Sequence, residues 1–442
     1  MTHGWAEPLL GEEIRRIAVV GAGYVGLPTA AVLSSRGHFV TVAERDKERY
    51  QNLRDGLSSN VEQGLDELLN ESMAAGRLKV VNSAAAAVVD AEFVFLCVET
   101  PQNEDGSADL SFVTGAAMEI GPKLATGTII VNKSTVPMGT VGLIEQVIGR
   151  PDIVVVSNPE FLREGSAIAD SFNPDRIVVG ASDREAAAQV AKLFCNFQSP
   201  VVITDATTSE LIKYASNAFL ATKLTFVNAM ASLCEVVGAS ADDLVLGIGY
   251  DKRIGFEFLH PGPGWGGSCL PKDTAALVAI AKSAGFDAEI VRAAIDGNQE
   301  HMKRVADKIR VAVGGEIRGS TIGVLGLTFK ANTEDRRNSP SISITQRLVD
   351  MGAVVKAYDP SVSSTSAEAT DLAHLTVCNS PYEAMKNTNA IAILTEWPMF
   401  RELDFVRVRE SVATPVIIDA RNILDVETLK RLGFSYSSVG RQ

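Results

Sequence analysis

Residues 15–46, RRIAVVGAGYVGLPTAAVLSSRGHFVTVAERD, constrain the fold more than any other stretch. An apolar run from Ile17 to Val20 enters Gly21, Gly23 and Gly26; small residues of helical character follow, Gly37 closes them, and a second apolar run reaches Glu44. The order is strand, turn, helix, strand: the βαβ unit of a doubly wound sheet. The glycines serve the tight turn, the approach of backbone to a pyrophosphate, and close packing of helix on strand, while the helix N-terminus offers free amides to the anion. The glycine spacing alone is a weak signal. A strand before it, a helix after it and an acid at the end of the next strand make it a dinucleotide site. Glu44 is placed to accept hydrogen bonds from adenosine ribose hydroxyls and to repel a 2′-phosphate, which favours NAD. Arg45 carries the opposite signal, because an arginine there can pair with that phosphate. Alternate strand residues face opposite ways, so a strand persisting through residue 45 would turn Arg45 away.

Strand and helix alternation continues through 91–101, a helical stretch from Leu110 to Leu124, 128–137 and 152–162. Ligands of a parallel sheet lie at the carboxyl ends of its strands, which makes Thr100, Thr135 and Glu160 candidates by position. A chain of 442 residues with 46% hydrophobic and 21% charged content is long enough for two or three domains with their own cores. The formal net charge of −13 argues against a nucleic-acid partner. The N-terminus lacks a cationic start followed by an apolar run, and no segment approaches 18 uninterrupted apolar residues, so the reading is cytoplasmic with no membrane partner. Five scattered cysteines (Cys97, Cys195, Cys234, Cys269, Cys378) fit reduced thiols, and no close His/Cys cluster suggests a metal.

From residue 205 the texture changes. Thr207 and Glu210 have capping-box spacing ahead of about 25 residues of helix-period sequence ending at Gly238, which predicts one long, heavily buried helix. Lys213 and Asn217 lie four apart on it, hence on one face; the plain alternative is a solvated stripe at the helix start. The run HPGPGWGGSCLPKD, 260–273, cannot continue a helix or a central strand. It is a shaped loop that presents Cys269, a poor setting for an inert buried cysteine. Helix follows to about 312, and residues 318–360 repeat the opening pattern with a degenerate glycine turn. The fold expected is α/β: two Rossmann-like doubly wound domains (1–204 and 313–442) joined by a central helical region (205–312) with one long helix.

GAGYVGLPTAAVLSSRGH, KSTVPMGT, NPEFLREGSAIADSFNPDRIVVG, SELIKYASNAFLATK, GPGWGGSCLPKD and GLTFKANTEDRRNSPS resemble, in order and spacing, the UDP-glucose/GDP-mannose 6-dehydrogenase family over nearly the whole chain. The resemblance implies oxidation of a sugar C6 alcohol to a carboxylate with two NAD⁺ through a cysteine thiohemiacetal and thioester. It implies that Cys269 is the nucleophile, that Lys213 and Asn217 bind the sugar and its C6 oxygen, and that Asp273 organises the lysine and a water. Thr135 and Glu160 are linked by the same motifs to that water and to thioester hydrolysis. It places Gly21, Gly23, Tyr24, Val25, Gly26, Glu44, Arg45, Thr100, Ser134, Thr135, Glu164 and Arg337 at the cofactor. It places Glu160, Phe161, Leu162, Arg163, Lys213, Asn217, Arg253, Phe258, His260, Gly266 and Lys330 at the substrate.

His260 and Asn338 depart from residues common in the family, as does Trp265, which is read as loop packing. UDP-glucose is the expected substrate, with dTDP-glucose, GDP-mannose or a UDP-N-acetylhexosamine as rivals. A related hydroxyacid dehydrogenase would not need Cys269, and the intact Lys213, Asn217, Cys269 and Asp273 set weighs against a non-catalytic nucleotide-sugar sensor. The resemblance and the apolar length of the long helix imply a homodimer, with Arg253 near the partner's site.

Overall fold

The computed structural model describes residues 13–58, 62–194, 198–363 and 371–441. The chain divides into two compact units, Met1–Ala215 and Ser216–Gln442. Each is built on one twisted sheet.

The first unit carries β1 (Arg16–Val20), β2 (Phe39–Ala43), β3 (Leu78–Val81), β4 (Phe93–Leu96), β5 (Ile129–Asn132), β6 (Val154–Ser157), β7 (Ile177–Gly180) and β8 (Val201–Thr204) in the order β3-β2-β1-β4-β5-β6-β7-β8. Side chains alternate across a sheet, and here both faces are covered. Ile17, Val19, Phe93, Phe95, Ile129 and Val131 therefore belong to one apolar cluster, while Ala18, Val20, Val94, Leu96 and Ile130 belong to another. That double burial is why these strands read as unbroken apolar runs. All pairings are parallel except that of β6 with β7, joined through Ser157 and Gly180. β7 and β8 are four-residue strands that the sequence pattern did not single out.

The second unit carries β9 (Thr321–Leu325), β10 (Val354–Tyr358), β11 (Thr376–Val377), β12 (Ala390–Ile393), β13 (Val416–Asp419) and β14 (Ser435–Ser438), all parallel, in the order β11-β10-β9-β12-β13-β14. Relative to its own first strand this repeats the order of the first six strands of the other sheet. Asp359, placed after β10 as Glu44 is after β2, holds the loops around it together. One of its oxygens accepts from the Leu327 amide at 2.7 Å, the Thr328 amide at 3.0 Å and Trp397 Nε1 at 3.1 Å. The second sheet has an acid at the same position and uses it to brace its own loops.

The long helix spans Ala206–Val237, 32 residues and about 48 Å at 1.5 Å per residue, and the boundary between units falls within it. By length and a mean hydropathy of 1.3 it is the one helix among the described residues that could cross a membrane. It also carries the buried polar residues Lys213, Asn217 and Asn228, which suit a helix of a folded domain. Its start corrects the capping expectation. Asp205 accepts from the Thr208 amide at 2.8 Å. Glu210 instead reaches the Gly139 and Val141 amides at 2.6 and 3.0 Å, at the N-terminus of the helix Thr140–Ile148. A carboxylate there satisfies amides that have no intrahelical partner. Among the helices that follow it are Leu270–Ser283 and Glu289–Ala312.

Candidate active site

The three glycines of the turn in the first unit differ in what a side chain would meet. Gly21 has φ +101°, and a Cβ on it would lie 2.5 Å from the Cys97 carbonyl oxygen. A Cβ on Gly26 would lie 1.8 Å from the Gly21 carbonyl oxygen, so only glycine lets the helix Gly26–Ser35 start this close to the strand. A Cβ on Gly23 would meet nothing within 4 Å. That open backbone, flanked by Tyr24 and Val25 at a helix N-terminus, fits the pyrophosphate of a dinucleotide.

Glu44 is buried, with one carboxylate oxygen accepting from the Asp46 amide at 2.8 Å. β2 ends at Ala43, so the alternation argument does not reach Arg45: the chain turns at once because Asp46 caps the helix Lys47–Arg54, accepting from the Arg49 amide at 2.9 Å. Arg45 is exposed, and its guanidinium stacks on Phe112 at 4.9 Å. Ser134 Oγ donates to the Val98 carbonyl at 2.6 Å, and Thr100 is buried near the carboxyl end of β4. Thr135 follows β5 and Glu164 the loop after β6.

Past β6 lies a buried ion pair. Lys213 Nζ sits 2.9 Å from Glu160 Oε1, the two side chains 4% and 7% exposed. The Leu162 amide donates to the other Glu160 oxygen at 2.5 Å. Burial alone would raise the Glu160 pKa, but the charge and hydrogen bond of Lys213, with help from the Leu162 amide and Lys133, hold it below the usual carboxylate range. The Phe161 ring carries the Arg176 guanidinium at 3.4 Å and the Lys213 ammonium at 5.4 Å, and Arg163 pairs with Asp170 at 2.6 Å. Lys133, which sequence reasoning passed over, is buried and donates to Asn158 Oδ1 at 3.0 Å; burial pushes its pKa down. Its place at the end of an apolar strand was the available signal.

In the second unit the Cys269 thiol is exposed, and the residue is the N-cap of Leu270–Ser283 with Pro271 in the first turn. Ser268 Oγ is 3.5 Å from Cys269 Sγ. One turn on, Asp273 is 1% exposed; its oxygens accept from Lys272 Nζ at 2.7 Å and from Asn217 Nδ2 at 2.6 Å. Asp273 pairs with its sequence neighbour Lys272, and Lys213 pairs with Glu160. A Cβ on Gly266 would lie 2.0 Å from the Asn338 carbonyl oxygen, so the loop needs glycine there for close backbone approach. Of the remaining candidates, Phe258 has φ 58°, His260 is exposed, and Lys330 lies 5.5 Å from the Phe329 ring. Arg337 pairs with Asp335 at 2.7 Å, and the exposed Arg253 pairs with Asp251 at 2.5 Å. Arg421, not singled out from the sequence, follows β13 at the carboxyl edge of the sheet, its guanidinium donating to the Leu394 and Phe329 carbonyls at 2.9 and 2.7 Å.

Sheet order and glycine turn define a dinucleotide-binding fold. Comparison with known proteins narrows the class. Residues 15–198, 207–300 and 323–426 match, respectively, the NAD binding, central and UDP binding domains of the UDP-glucose/GDP-mannose dehydrogenase family. A UDP-glucose 6-dehydrogenase of Rhizobium meliloti is 45% identical over 96% of this chain and 99% of its own. Among solved structures, a UDP-glucose dehydrogenase from Pyrobaculum islandicum superposes with a TM-score of 0.89 at 35% identity, covering 98% of this chain and 99% of its own. A UDP-D-ManNAc dehydrogenase from Pyrococcus horikoshii gives 0.84 at 27% identity, covering 96% and 99%. The chain belongs to the UDP-glucose/GDP-mannose dehydrogenase family and is an NAD-dependent nucleotide-sugar 6-dehydrogenase.

Proposed function

We propose that the protein oxidises UDP-glucose to UDP-glucuronate by a covalent route through Cys269. The observation that carries the reading is an exposed thiol at a helix N-terminus, one turn from the buried Asp273 and its Lys272 and Asn217 partners. The helix N-terminus and Lys272 both favour a thiolate over a thiol. When bound, NAD⁺ accepts a hydride twice, once from the C6 alcohol and once from the thiohemiacetal. After the first oxidation the Cys269 thiolate adds to the C6 aldehyde, forming a carbon–sulfur bond and an alkoxide. Collapse of that alkoxide with loss of the second hydride leaves a thioester, and water cleaves it to carboxylate and free thiol. One alcohol, two NAD⁺ and one water give one carboxylate, two NADH and three protons. Lys213 and Asn217 are assigned to donate to the C6 oxygen as charge develops on it, and Asp273 to hold the water. Thr135 and Glu160 are assigned to that water, and Phe161 to Arg163 to the sugar nucleotide by their backbone.

The match to a UDP binding domain and to proteins named for UDP-glucose supports this substrate. A thymine methyl is worth only about 1–3 kcal/mol of discrimination, so dTDP-glucose is a natural competitor. NADH formation measured across a panel of sugar nucleotides tests the reading: UDP-glucose is expected to turn over fastest with about two NADH per sugar, by the redox count of the covalent route. Faster oxidation of GDP-mannose than of any pyrimidine sugar would overturn it.

For the cofactor, NAD is expected to exceed NADP about tenfold or more in kcat/KM, with Glu44→Ala narrowing the gap by removing the repulsion of a 2′-phosphate. Equal use of NADP by the unaltered protein would show that Arg45 governs the pocket.

We infer a homodimer formed along the long helix. Phe219, Phe226 and Leu233 recur every seven residues and are 68%, 50% and 49% exposed, with Val236 beside them at 83%. Heptad-spaced apolar residues in water form the seam of a helix pair. Phe226→Asp is expected to shift the protein to monomer in sedimentation at micromolar concentration; a wild-type monomer with full activity would refute the seam. The reading keeps the protein in the cytoplasm, where a thiol such as Cys269 stays reduced.

A further inference from the structure

The stretch from Gly262 to Ser268 lies outside every strand and helix, so its backbone amides and carbonyls need partners other than a ladder. Side chains of two helices in the second unit supply them. From the long helix, Asn228 Oδ1 accepts from the Gly262 amide at 2.9 Å. From the helix Glu289–Ala312, His301 Nε2 lies 2.7 Å from the Gly262 carbonyl, and since a carbonyl only accepts, the imidazole donates through Nε2–H. One turn earlier, Asn298 makes two bonds to a single residue: its Oδ1 accepts from the Trp265 amide and its Nδ2 donates to the Trp265 carbonyl, each at 2.9 Å. The Trp265 ring is fixed in turn, Nε1 donating to Thr225 Oγ1 at 2.9 Å, and that hydroxyl donates to the Ala294 carbonyl at 2.9 Å. Asn228, Asn298 and His301 are all buried.

We propose that Asn298 is a positioning residue for Cys269, clamping both backbone groups of Trp265 and thereby setting where the thiol sits at the head of its helix. Only three residues separate Trp265 from Cys269, and the Gly267 amide is itself bound to the Arg337 carbonyl at 3.0 Å. With both anchors in place the short link has little freedom. The clamp is specific to an amide at this length. Alanine leaves a buried donor and a buried acceptor unpaired. Aspartate keeps the acceptor for the Trp265 amide but sets a second acceptor against the Trp265 carbonyl. Glutamine adds a methylene where none fits, because even a Cβ on the adjacent Gly264 would lie 2.9 Å from Asn298 Oδ1.

The inference rests on Cys269 being the nucleophile, and the test separates the two. The second-order rate of iodoacetamide alkylation of Cys269 is followed against pH in the full-length protein, with Cys269→Ala as the blank for other thiols. The same preparations give kcat and KM for sugar nucleotide and for NAD, all well below each variant's melting temperature. Asn298→Ala is expected to lower kcat about ten- to hundredfold and to move the alkylation profile, with the KM for NAD within about twofold of wild type, because a misplaced reacting group costs rate more than remote binding. Asn298→Asp, which keeps one bond but opposes the Trp265 carbonyl with a second acceptor, is expected to shift kcat and the alkylation profile in the same direction, and it carries the same measurement if the alanine variant does not fold. A variant that melts lower yet keeps kcat and the wild-type alkylation profile would show Asn298 to be merely structural and overturn the proposal. Alkylation that left wild-type turnover intact would remove the nucleophile and the clamp's purpose together.

Discussion

Replacing Cys269 by alanine is expected to abolish formation of the sugar acid while leaving the fold and NAD binding in place. The thiol is exposed at the start of Leu270–Ser283, so its loss removes little packing. Without the carbon–sulfur bond there is no thiohemiacetal to give up the second hydride, and acid production should fall by about 10⁴-fold or more, the scale set by deletion of other covalent nucleophiles. No other described cysteine is placed to substitute. Cys97, Cys234 and Cys378 are buried, and burial pushes the Cys97 thiol up to about 12, far from a reactive thiolate; Cys195 lies outside the described residues. The measurement is product analysis by mass together with NADH counting. Wild type should give about two NADH per sugar and the variant at most about one, with the aldehyde or unreacted alcohol recovered. Full acid production by the variant would sink the covalent route.

What the sequence revealed follows from how locally each feature is encoded. The first sheet was readable because β1, β4 and β5 are buried on both faces and β1 runs into Gly21, at φ +101°, and Gly26, where a side chain would collide with backbone. β7 and β8 escaped because three apolar residues followed by Gly or Thr carry too little periodicity to announce a strand. Thr207 and Glu210 looked like a capping box since spacing cannot tell which amides a carboxylate will meet; Glu210 meets those of residues 139 and 141. The loop around Cys269 stood out through its own glycines and prolines. The residues holding that loop did not, because Asn298 sits on a strongly amphipathic helix where a polar residue reads as solvent-facing, and its partner lies 33 positions away. Lys133 offered one signal, its place at the end of an apolar strand, but its acceptor, Asn158, lies 25 positions away and only the fold supplies it.

Lys213→Ala is expected to cost stability and turnover for different reasons, and a second substitution separates them. Removing one partner of a buried ion pair leaves an uncompensated charge, at a cost of about 3–5 kcal/mol. Here the stranded group is Glu160, 7% exposed. In the wild type its carboxyl is held below the ordinary 4.5, so its contribution to stability is present above that value and is lost as pH falls through the lowered native pKa. In Lys213→Ala, burial dominates, the carboxyl pKa rises, and the variant should instead lose stability as pH increases through the raised value. Urea unfolding of the two proteins from about pH 3 to about pH 8 should therefore show opposite slopes: wild type loses stability as pH falls below the ordinary carboxylate value, and the variant loses it as pH rises above that value. Adding Glu160→Gln removes the stranded charge and should recover a substantial part of the lost stability. Turnover answers to a different loss: if Lys213 donates to the C6 oxygen as charge develops there, its absence should lower kcat about 10²- to 10³-fold, the scale of an oxyanion donor, and the double variant, which also loses the Glu160 carboxylate assigned to the water, should be at least as slow as the single. A double variant that regains both stability and kcat would make Lys213 a counter-ion for Glu160 and nothing more.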